Sequence, residues 1–168
     1  MKKLYIVRHA KSSWEDFRLP DHDRYLLPMG IDKTKKIGNW LKKKKNVLPE
    51  LIICSSAVRA QETAKILAEK LGYPSSRIRV DPNFYHAEPE TILESLYELP
   101  DEVKEVMIVG HNTTFNDLAN DFLDWKHQIE NLPTSGVVAV IIKTSRWVEI
   151  AAAESELEFM IFPRMLKH

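Results

Sequence analysis

Short, continuously apolar segments alternate with helical patterns along this chain, and this alternation constrains the fold more than any other feature. Three of these segments span residues 4–7, 51–54 and 106–109. Between them, apolar residues recur three or four positions apart, which is typical of helices that pack through one face. Strands that are apolar on both faces belong to parallel sheets covered by helices on either side. The sequence therefore predicts an α/β fold, a three-layer α/β/α sandwich around a mainly parallel sheet.

The other segments complete a predicted sheet of about six strands. The further predicted strands span residues 78–80, 137–142 and 148–153. The predicted helices cover about residues 30–45, 60–71, 89–97 and 115–122. Residues 10–29 contain two prolines and mixed charges and are predicted to form a long loop. Because no repeat, low-complexity segment or Gly/Ser-rich linker divides the chain, we expect residues 1–168 to form a single domain.

Composition narrows the classes of partner. Lys and Arg together number 24, as do Asp and Glu, so the formal net charge is zero. Without a basic excess, neither nucleic acid nor an anionic membrane is expected as a partner. The single cysteine, Cys54, excludes an internal disulfide and fits a reducing compartment. No apolar run is long enough for a signal-peptide core or a membrane span, so we expect a cytoplasmic protein.

Three polar clusters occupy the same position relative to the predicted sheet. Arg8-His9, residues 55–59 and residues 110–112 each follow a predicted buried strand. In open parallel sheets, ligands bind at the carboxyl ends of the strands. Any one of these residues would be unremarkable as a surface or capping residue. Together they predict that two arginines and two histidines converge on one crevice.

The residue types in this crevice suit a phosphoryl group. Arginine binds phosphate through a planar fork and stays charged at any working pH. Arg59 falls in the first turn of its predicted helix, where the helix dipole disfavours a cation unless an anion is bound nearby. The alternative is that Arg59 pairs with Glu62 on the surface of the same helix. Asn112 and the threonines after it are good N-capping residues, so a second helix start is predicted to face the same crevice.

Histidine can act as a general base, a metal ligand or a nucleophile. His22, flanked by two aspartates, superficially resembles part of a metal site. His9 and His111 instead lie beside arginine or a capping motif, and Arg8 and Arg59 would repel a cation. The residues therefore disfavour metal catalysis, and we expect neither a metal nor another cofactor.

An ordered set of motifs resembles the histidine phosphatase superfamily, also called the phosphoglycerate mutase-like superfamily. Residues 8–12 resemble its R-H-G/A motif, and residues 55–64 resemble its S-x-x-x-R-A-x-x-T-A segment. Residues 109–112 resemble the second-histidine motif, and residues 21–30 resemble the D-x-x-R-x-L-x-x-x-G stretch. That last match makes His22 a loop residue. The short chain and its R-H-A-K-S and G-H-N variants are most similar to the SixA-type phosphohistidine phosphatases.

The resemblance implies a role for each matching residue. His9 would be the nucleophile and would form a phosphohistidine intermediate. Arg8, Arg59 and His111 would hold the phosphoryl oxygens, and no metal would be needed. Asn112 and Ser12 are added as expected substrate-binding residues because they adjoin these motifs.

The proton donor is less sharply defined. Where the family places a Glu or Asp, the sequence has Glu88 as a candidate acid and His86 as a weaker one. Glu88 could equally be a charge at the start of a helix. Phosphoramidates depend less on a strong acid than alkyl phosphates do, so a missing acid would favour phosphohistidine, or an already activated ester, over an ordinary sugar phosphate. The long insertions of larger relatives are also missing here, which predicts an open, shallow pocket.

These observations predict a metal-independent phosphatase whose partner is a phosphorylated protein, carrying phosphohistidine, or a small phosphorylated molecule. Two alternatives stay open from the sequence. One is a small-molecule phosphomonoesterase, and the other is a phosphate-binding module without turnover. The retained His9 argues against the binding module, because binding alone would need only the arginines.

Overall fold

A computed structural model describes residues 1–14 and 16–166 of the chain. Its strands are β1 (Lys2–Arg8), β2 (Leu51–Ser55), β3 (Arg79–Asp81), β4 (Glu105–Gly110), β5 (Val137–Ile142) and β6 (Ser155–Ile161). Its α-helices are α1 (Pro28–Lys45), α2 (Val58–Leu71), α3 (Pro89–Tyr97) and α4 (Thr114–Phe122). The predicted alternation of strands and helices is confirmed.

The six strands form one mixed sheet in the order β3-β2-β4-β1-β5-β6. The first four in this order are parallel, and β5 and β6 pair antiparallel at one side. β1 and β2 therefore both adjoin β4, although β4 follows them by more than forty residues in the chain. This order makes the carboxyl ends of the three strands immediate neighbours.

The helices cover both faces of the sheet, as the alternation of side chains along β1 shows. Leu4 and Ile6 point to one face and pack in a cluster with residues of α3 and α4. Tyr5 and Val7 point to the other face and pack with residues of α1 and α2. Successive strand residues face opposite sides, so a strand that is apolar throughout requires a helical layer on each side. The predicted three-layer α/β/α sandwich is confirmed.

The predicted sixth strand at residues 148–153 is wrong. Trp147–Glu149 is a short 3-10 helix that buries Trp147 and Ile150, three positions apart, while Val148 stays exposed. The sixth strand is instead β6, which pairs with β5 at the edge of the sheet. Its first half alternates charged and apolar residues, a weaker signal than the apolar run before it.

The long loop before α1 is closed by contacts between its two ends, and the Leu26 amide ties it to Glu62 of α2. Ser12 pairs with Leu26 in an isolated antiparallel bridge, and the Leu27 amide donates to the Lys11 carbonyl at 3.0 Å. Gly30 lies so close to Lys11 that an added Cβ would come within 2.5 Å of its carbonyl oxygen. Glycine is therefore required at this position of the D-x-x-R-x-L-x-x-x-G stretch. The loop is thereby held over the carboxyl end of β1.

No α-helix within residues 1–14 and 16–166 combines the length and apolarity needed to cross a membrane.

Candidate active site

The three predicted polar clusters meet at the carboxyl edge of the parallel strands. β1 ends at Arg8, β2 at Ser55 and β4 at Gly110, with β4 between the other two. A cavity of about 770 Å³ opens at this edge, and we call it the histidine cavity. Its lining consists of Arg8, His9, Lys11, Ser12, Trp14, Arg24, Leu27, Arg59, His111, Asn112 and Thr134. The structure thus brings together His9, Arg8, Arg59, His111, Asn112 and Ser12.

His9 lies at the base of this cavity with one ring nitrogen committed and the other available. Its side chain is buried, with the residue only 8% exposed. Nδ1 lies 2.7 Å from the Ala10 carbonyl oxygen, which can only accept, so Nδ1 carries the proton. Nε2 then keeps its lone pair. Burial, reinforced by the positive charges around it, lowers the pKa of His9 to about 3, so the ring is neutral at pH 7.

Two arginines that line the same cavity each keep one donor unpaired. Arg8 donates from one terminal nitrogen to the Leu132 carbonyl at 3.1 Å. Arg59, the second residue of α2, donates from both terminal nitrogens to Asp21. The Nε atom of each arginine is buried and has no hydrogen-bond partner among the described residues. A buried unpaired donor is costly, because it has lost water without replacing it. An anion in the cavity would satisfy both.

His111 adds a third unpaired ring atom. Its Nε2 shares a 2.8 Å hydrogen bond with the Ser55 hydroxyl, and its ring centroid lies 5.1 Å from that of His9. Nδ1 is buried and has no partner among the described residues. Burial and the charge of Arg59 lower the pKa of His111 to about 4. When the Ser55 hydroxyl donates to Nε2, the proton resides on Nδ1, and His111 becomes a neutral donor to a bound oxygen.

Asp21 organises the arginines, a role that the sequence did not reveal. One carboxylate oxygen accepts from Arg59 at 3.0 Å and from the Tyr85 hydroxyl at 2.6 Å. The other oxygen accepts from Arg24 Nε at 3.1 Å. Partial burial raises the pKa of Asp21, but hydrogen bonds from Tyr85 and Arg59 outweigh it and hold the pKa well below its ordinary value. Asp21 thus remains charged and fixes the orientation of Arg59.

Arg59 does not pair with Glu62, which was the alternative from the sequence. Glu62 instead accepts a hydrogen bond from the Leu26 amide at 3.1 Å. Thr63, in the same motif, accepts from the Ala10 amide at 2.9 Å and donates to the Arg59 carbonyl at 2.7 Å. This hydroxyl joins the residue after the buried histidine to the helix that carries Arg59. The motif on α2 therefore sets the position of two other segments at the site.

Ser12 and Asn112 line the cavity but are turned toward protein partners. The Ser12 hydroxyl accepts from Arg24 at 2.6 Å. The Asn112 side-chain amide donates to the Leu132 carbonyl at 2.8 Å, and its Oδ1 is buried without a partner among the described residues. The predicted helix start is confirmed, since α4 begins after Thr113 at the N-cap position, but no side chain makes a capping hydrogen bond there. Asn112 instead ties the end of β4 to the loop that also holds Arg8.

Glu88 is the predicted residue that the structure does not bring to this group. It is exposed, immediately precedes α3, and lines neither the histidine cavity nor the smaller cavity beside it. The weaker candidate, His86, lines the smaller cavity together with His111 and Arg59. The lining residues found in both cavities include no carboxylate.

His22 is a loop residue, as the motif match implied. It lies in the 3-10 helix Asp21–Asp23, and its Nε2 is 2.8 Å from the Ser56 hydroxyl. Within residues 1–14 and 16–166, no three His, Cys, Asp or Glu side chains are grouped so that they could hold a metal ion.

The sheet edge of this α/β protein brings two arginines and a second histidine together around a neutral, buried histidine. Comparisons with known proteins identify the family of this chain. The sequence profile of the histidine phosphatase superfamily (branch 1) matches residues 4–86. An uncharacterized protein of Mycobacterium leprae is 31% identical over 168 residues, which cover 94% of this chain and 100% of that protein. This chain belongs to the histidine phosphatase superfamily.

Solved structures show the same fold. The protein histidine phosphatase SixA, in complex with tungstate, superposes with a TM-score of 0.82 at 22% identity, over 98% of this chain and 99% of that one. A mycobacterial glucosyl-3-phosphoglycerate phosphatase superposes with a TM-score of 0.66 at 16% identity, over 94% and 97%. The predicted family and the phosphoglycerate mutase-like fold are confirmed, and the superfamily makes this chain a phosphatase.

Proposed function

We propose that this phosphatase works without a metal and removes the phosphoryl group of protein phosphohistidine through a covalent phosphohistidine intermediate on His9. One observation carries the proposal. His9 Nε2 makes no hydrogen bond to the described residues, and three residues of the same cavity lining carry a buried donor atom without a partner among them: Arg8 Nε, Arg59 Nε and His111 Nδ1. A phosphoryl group would fill them, and transition-state charge on its oxygens would be stabilised most.

The geometry supports a two-step displacement. In the first step the Nε2 lone pair of His9 forms a bond to phosphorus as the bond to the leaving group breaks. His9 enters this step neutral, since its pKa of about 3 leaves Nε2 unprotonated at pH 7. In the second step water attacks phosphorus, phosphate departs, and the electron pair returns to Nε2. The Nδ1 hydrogen bond to Ala10 keeps the ring in one orientation and one tautomer throughout.

A nitrogen leaving group is favoured by the lining of the site. No carboxylic acid lines the histidine cavity or its neighbour in the described part of the chain. Alkyl phosphates expel a strongly basic alkoxide and rely on such an acid, whereas the imidazole of phosphohistidine leaves more easily. The structural similarity to a protein histidine phosphatase points in the same direction. A cytoplasmic location and a single domain over residues 1–168 stay predictions of the sequence.

A small-molecule phosphomonoesterase is the second candidate, and one observation favours it. Beyond the phosphoryl donors, the histidine cavity is lined by Lys11 and Arg24, and the Arg24 guanidinium carbon lies 3.5 Å from the ring centroid of Trp14. Cationic and aromatic groups of this kind suit a compact anionic metabolite. The fold is shared with a glucosyl-3-phosphoglycerate phosphatase, which acts on such a molecule.

The test is trapping of the intermediate followed by a substrate panel. Rapid quench with ³²P-labelled phosphohistidine peptide should place acid-labile label on His9, in the presence of EDTA as well as in its absence. His9→Ala should lower turnover by about 10⁴-fold or more, since the nucleophile is removed. His127→Ala, at an exposed histidine in another part of the molecule, is the matched control and should retain full activity.

Four results would contradict the proposal. Full activity of His9→Ala would remove the covalent mechanism, and loss of activity in EDTA would remove metal independence. High turnover of a sugar or nucleotide phosphate with none on phosphohistidine would establish the phosphomonoesterase. Phosphate binding without any turnover would instead revive the phosphate-binding module.

A further inference from the structure

A second cavity of about 330 Å³ lies beside the histidine cavity. It shares Arg59, His111 and Asn112 with the histidine cavity, so the two meet at the phosphoryl donors. His9 lines only the first cavity. The remaining wall of the second cavity is formed by Phe84, Tyr85, His86, Ala87, Thr113 and Thr114. The histidine cavity therefore lies on the side of the shared residues that includes His9, and the second cavity offers a separate space beside them.

Aromatic rings mark a path from the nucleophile into the second cavity. The ring centroids are 5.1 Å apart for His9 and His111, 5.6 Å for His111 and Tyr85, and 4.0 Å for Tyr85 and His86. In phosphoryl transfer the attacking and leaving atoms lie roughly in line through phosphorus. With His9 on one side of the donors, the leaving group is directed to the other side, where the second cavity lies.

The backbone at His86 brings its ring into this wall. His86 has a φ of 55°, in the left-handed region that few residues other than glycine adopt. In extended chain, neighbouring side chains point in opposite directions. The left-handed turn instead places the rings of Tyr85 and His86 side by side at the same cavity. The ring nitrogens of His86 make no hydrogen bond to the described residues, which leaves them available to a ligand.

We propose that the second cavity receives the leaving group and that His86 supplies the proton it needs. This inference rests on the proposed function. As His9 Nε2 bonds to phosphorus, the P–N bond breaks, its electron pair stays on the leaving imidazole, and the imidazolium of His86 donates a proton to that ring. Neutral His86 then takes a proton from the water that attacks phosphorus, which restores both histidines and releases phosphate.

Histidine is well matched to this task. A proton donor works best when its acidity lies near the working pH, and an imidazole leaving group has nearly the same proton affinity as a histidine donor. The predicted acid, Glu88, is outside both cavities. His86 is thereby the one protonatable side chain, apart from Tyr85, that lines the second cavity without also lining the first, among the residues described.

Substrates that differ only in their need for a proton test the inference. His86→Asn is the chosen variant, because asparagine tolerates the left-handed backbone. With a phosphohistidine peptide and with phenyl phosphate, whose leaving groups require a proton, His86→Asn should lower kcat/KM, which reports the phosphorylation step alone, by about 100-fold. With 2,4-dinitrophenyl phosphate, whose leaving group departs as a stable anion, the loss should stay below about twofold. His127→Asn is the matched control and should change none of the three rates.

The possible results separate this inference from the proposal on which it rests. An equal loss on all three substrates, or no loss on any, would overturn the role of His86 while His9 labelling still stood. A loss confined to the peptide and phenyl phosphate supports it. Absence of a labelled His9 in the unaltered protein with every substrate would overturn both.

Discussion

Strand β1 carries a cation near each end, and the two are treated in opposite ways by the surrounding protein. Lys2, at the start, is 1% exposed, donates to the Val103 carbonyl at 2.9 Å and to the Asp101 carbonyl, and lies 5.3 Å from the ring centroid of Trp147. Arg8, at the end, donates to Leu132 and keeps a buried Nε without a partner among the described residues. The hydrogen bonds of Lys2 hold a loop in place, whereas those of Arg8 remain incomplete.

The difference separates a structural charge from a functional one. At Lys2 the protein itself supplies the carbonyl oxygens that replace water. The cation therefore ties the segment that precedes β4, which includes Asp101 and Val103, to the start of β1. At Arg8 and Arg59 no atom of the described residues pairs with the buried Nε, so the cost of removing this group from water remains until a ligand binds. Unfilled hydrogen-bonding capacity, rather than charge or burial alone, therefore distinguishes the proposed active end of β1 from its other end.

The largest expected effect comes from Arg8→Met. Loss of one donor to the transferring phosphoryl group should lower kcat/KM by about 10²–10³-fold, because the developing charge loses a stabilising partner. The free energy of unfolding should change little, since the unpaired Nε is removed along with the charge. Steady-state kinetics and urea denaturation on the same preparation measure the two quantities. A substantial loss of stability would mean that Arg8 is structural like Lys2, and the comparison would fail.

Lys2→Met should give the opposite pattern. The Val103 and Asp101 carbonyls would lose their donor inside the protein, at a cost of about 1–3 kcal/mol in the free energy of unfolding. Its kcat/KM should stay within about twofold of the unaltered protein, because the site lies at the other end of the strand. A thermal shift with inorganic phosphate compares the two variants directly. Phosphate should raise the Tm of Lys2→Met by as much as it raises the Tm of the unaltered protein, and it should raise the Tm of Arg8→Met much less. An equal rise in all three would contradict it.

The smallest expected effect is in the pH dependence of stability. His9 and His111 have pKa values of about 3 and about 4 when folded, against 6.5 for an ordinary histidine. Below about pH 6.5 the unfolded chain therefore binds protons that the folded chain does not, so the free energy of unfolding falls as the pH falls. His9→Gln should reduce that slope by at most about 1.4 kcal/mol per pH unit between about pH 6 and 4. An unchanged slope would show that burial at the active end does not set the acid sensitivity.

Much of this architecture could be predicted from the sequence, for a physical reason. The apolar runs of β1, β2 and β4 require helices on both faces, and the polar residues that end them must then share one edge of the sheet. That reasoning placed Arg8, His9, Arg59 and His111 together. The resemblance to a known family supplied the role of nucleophile proposed for His9, which no spacing of residues could supply.

The errors and omissions share a different cause. The partnership of Asp21 with Arg59 depends on how an irregular loop folds back over α2, and no periodic pattern records this. Residues 148–153 are apolar enough for a strand. A short helix forms at this place instead, because it buries both Trp147 and Ile150. His86 faces the second cavity only because of its left-handed backbone. Tertiary contacts of loops, unlike strand ends, leave no regular signal in a single sequence.

The order of the strands has a consequence for how the molecule is assembled. β4 is threaded between β1 and β2, two strands that are synthesised long before it. Until β4 takes its place, Arg8 and Arg59 belong to separate edges, and His111, one residue beyond β4, is not yet positioned. The proposed phosphoryl site is therefore complete only once β4 has joined the sheet. Phosphate binding during refolding would therefore report the insertion of β4 between β1 and β2, the step that completes the central sheet.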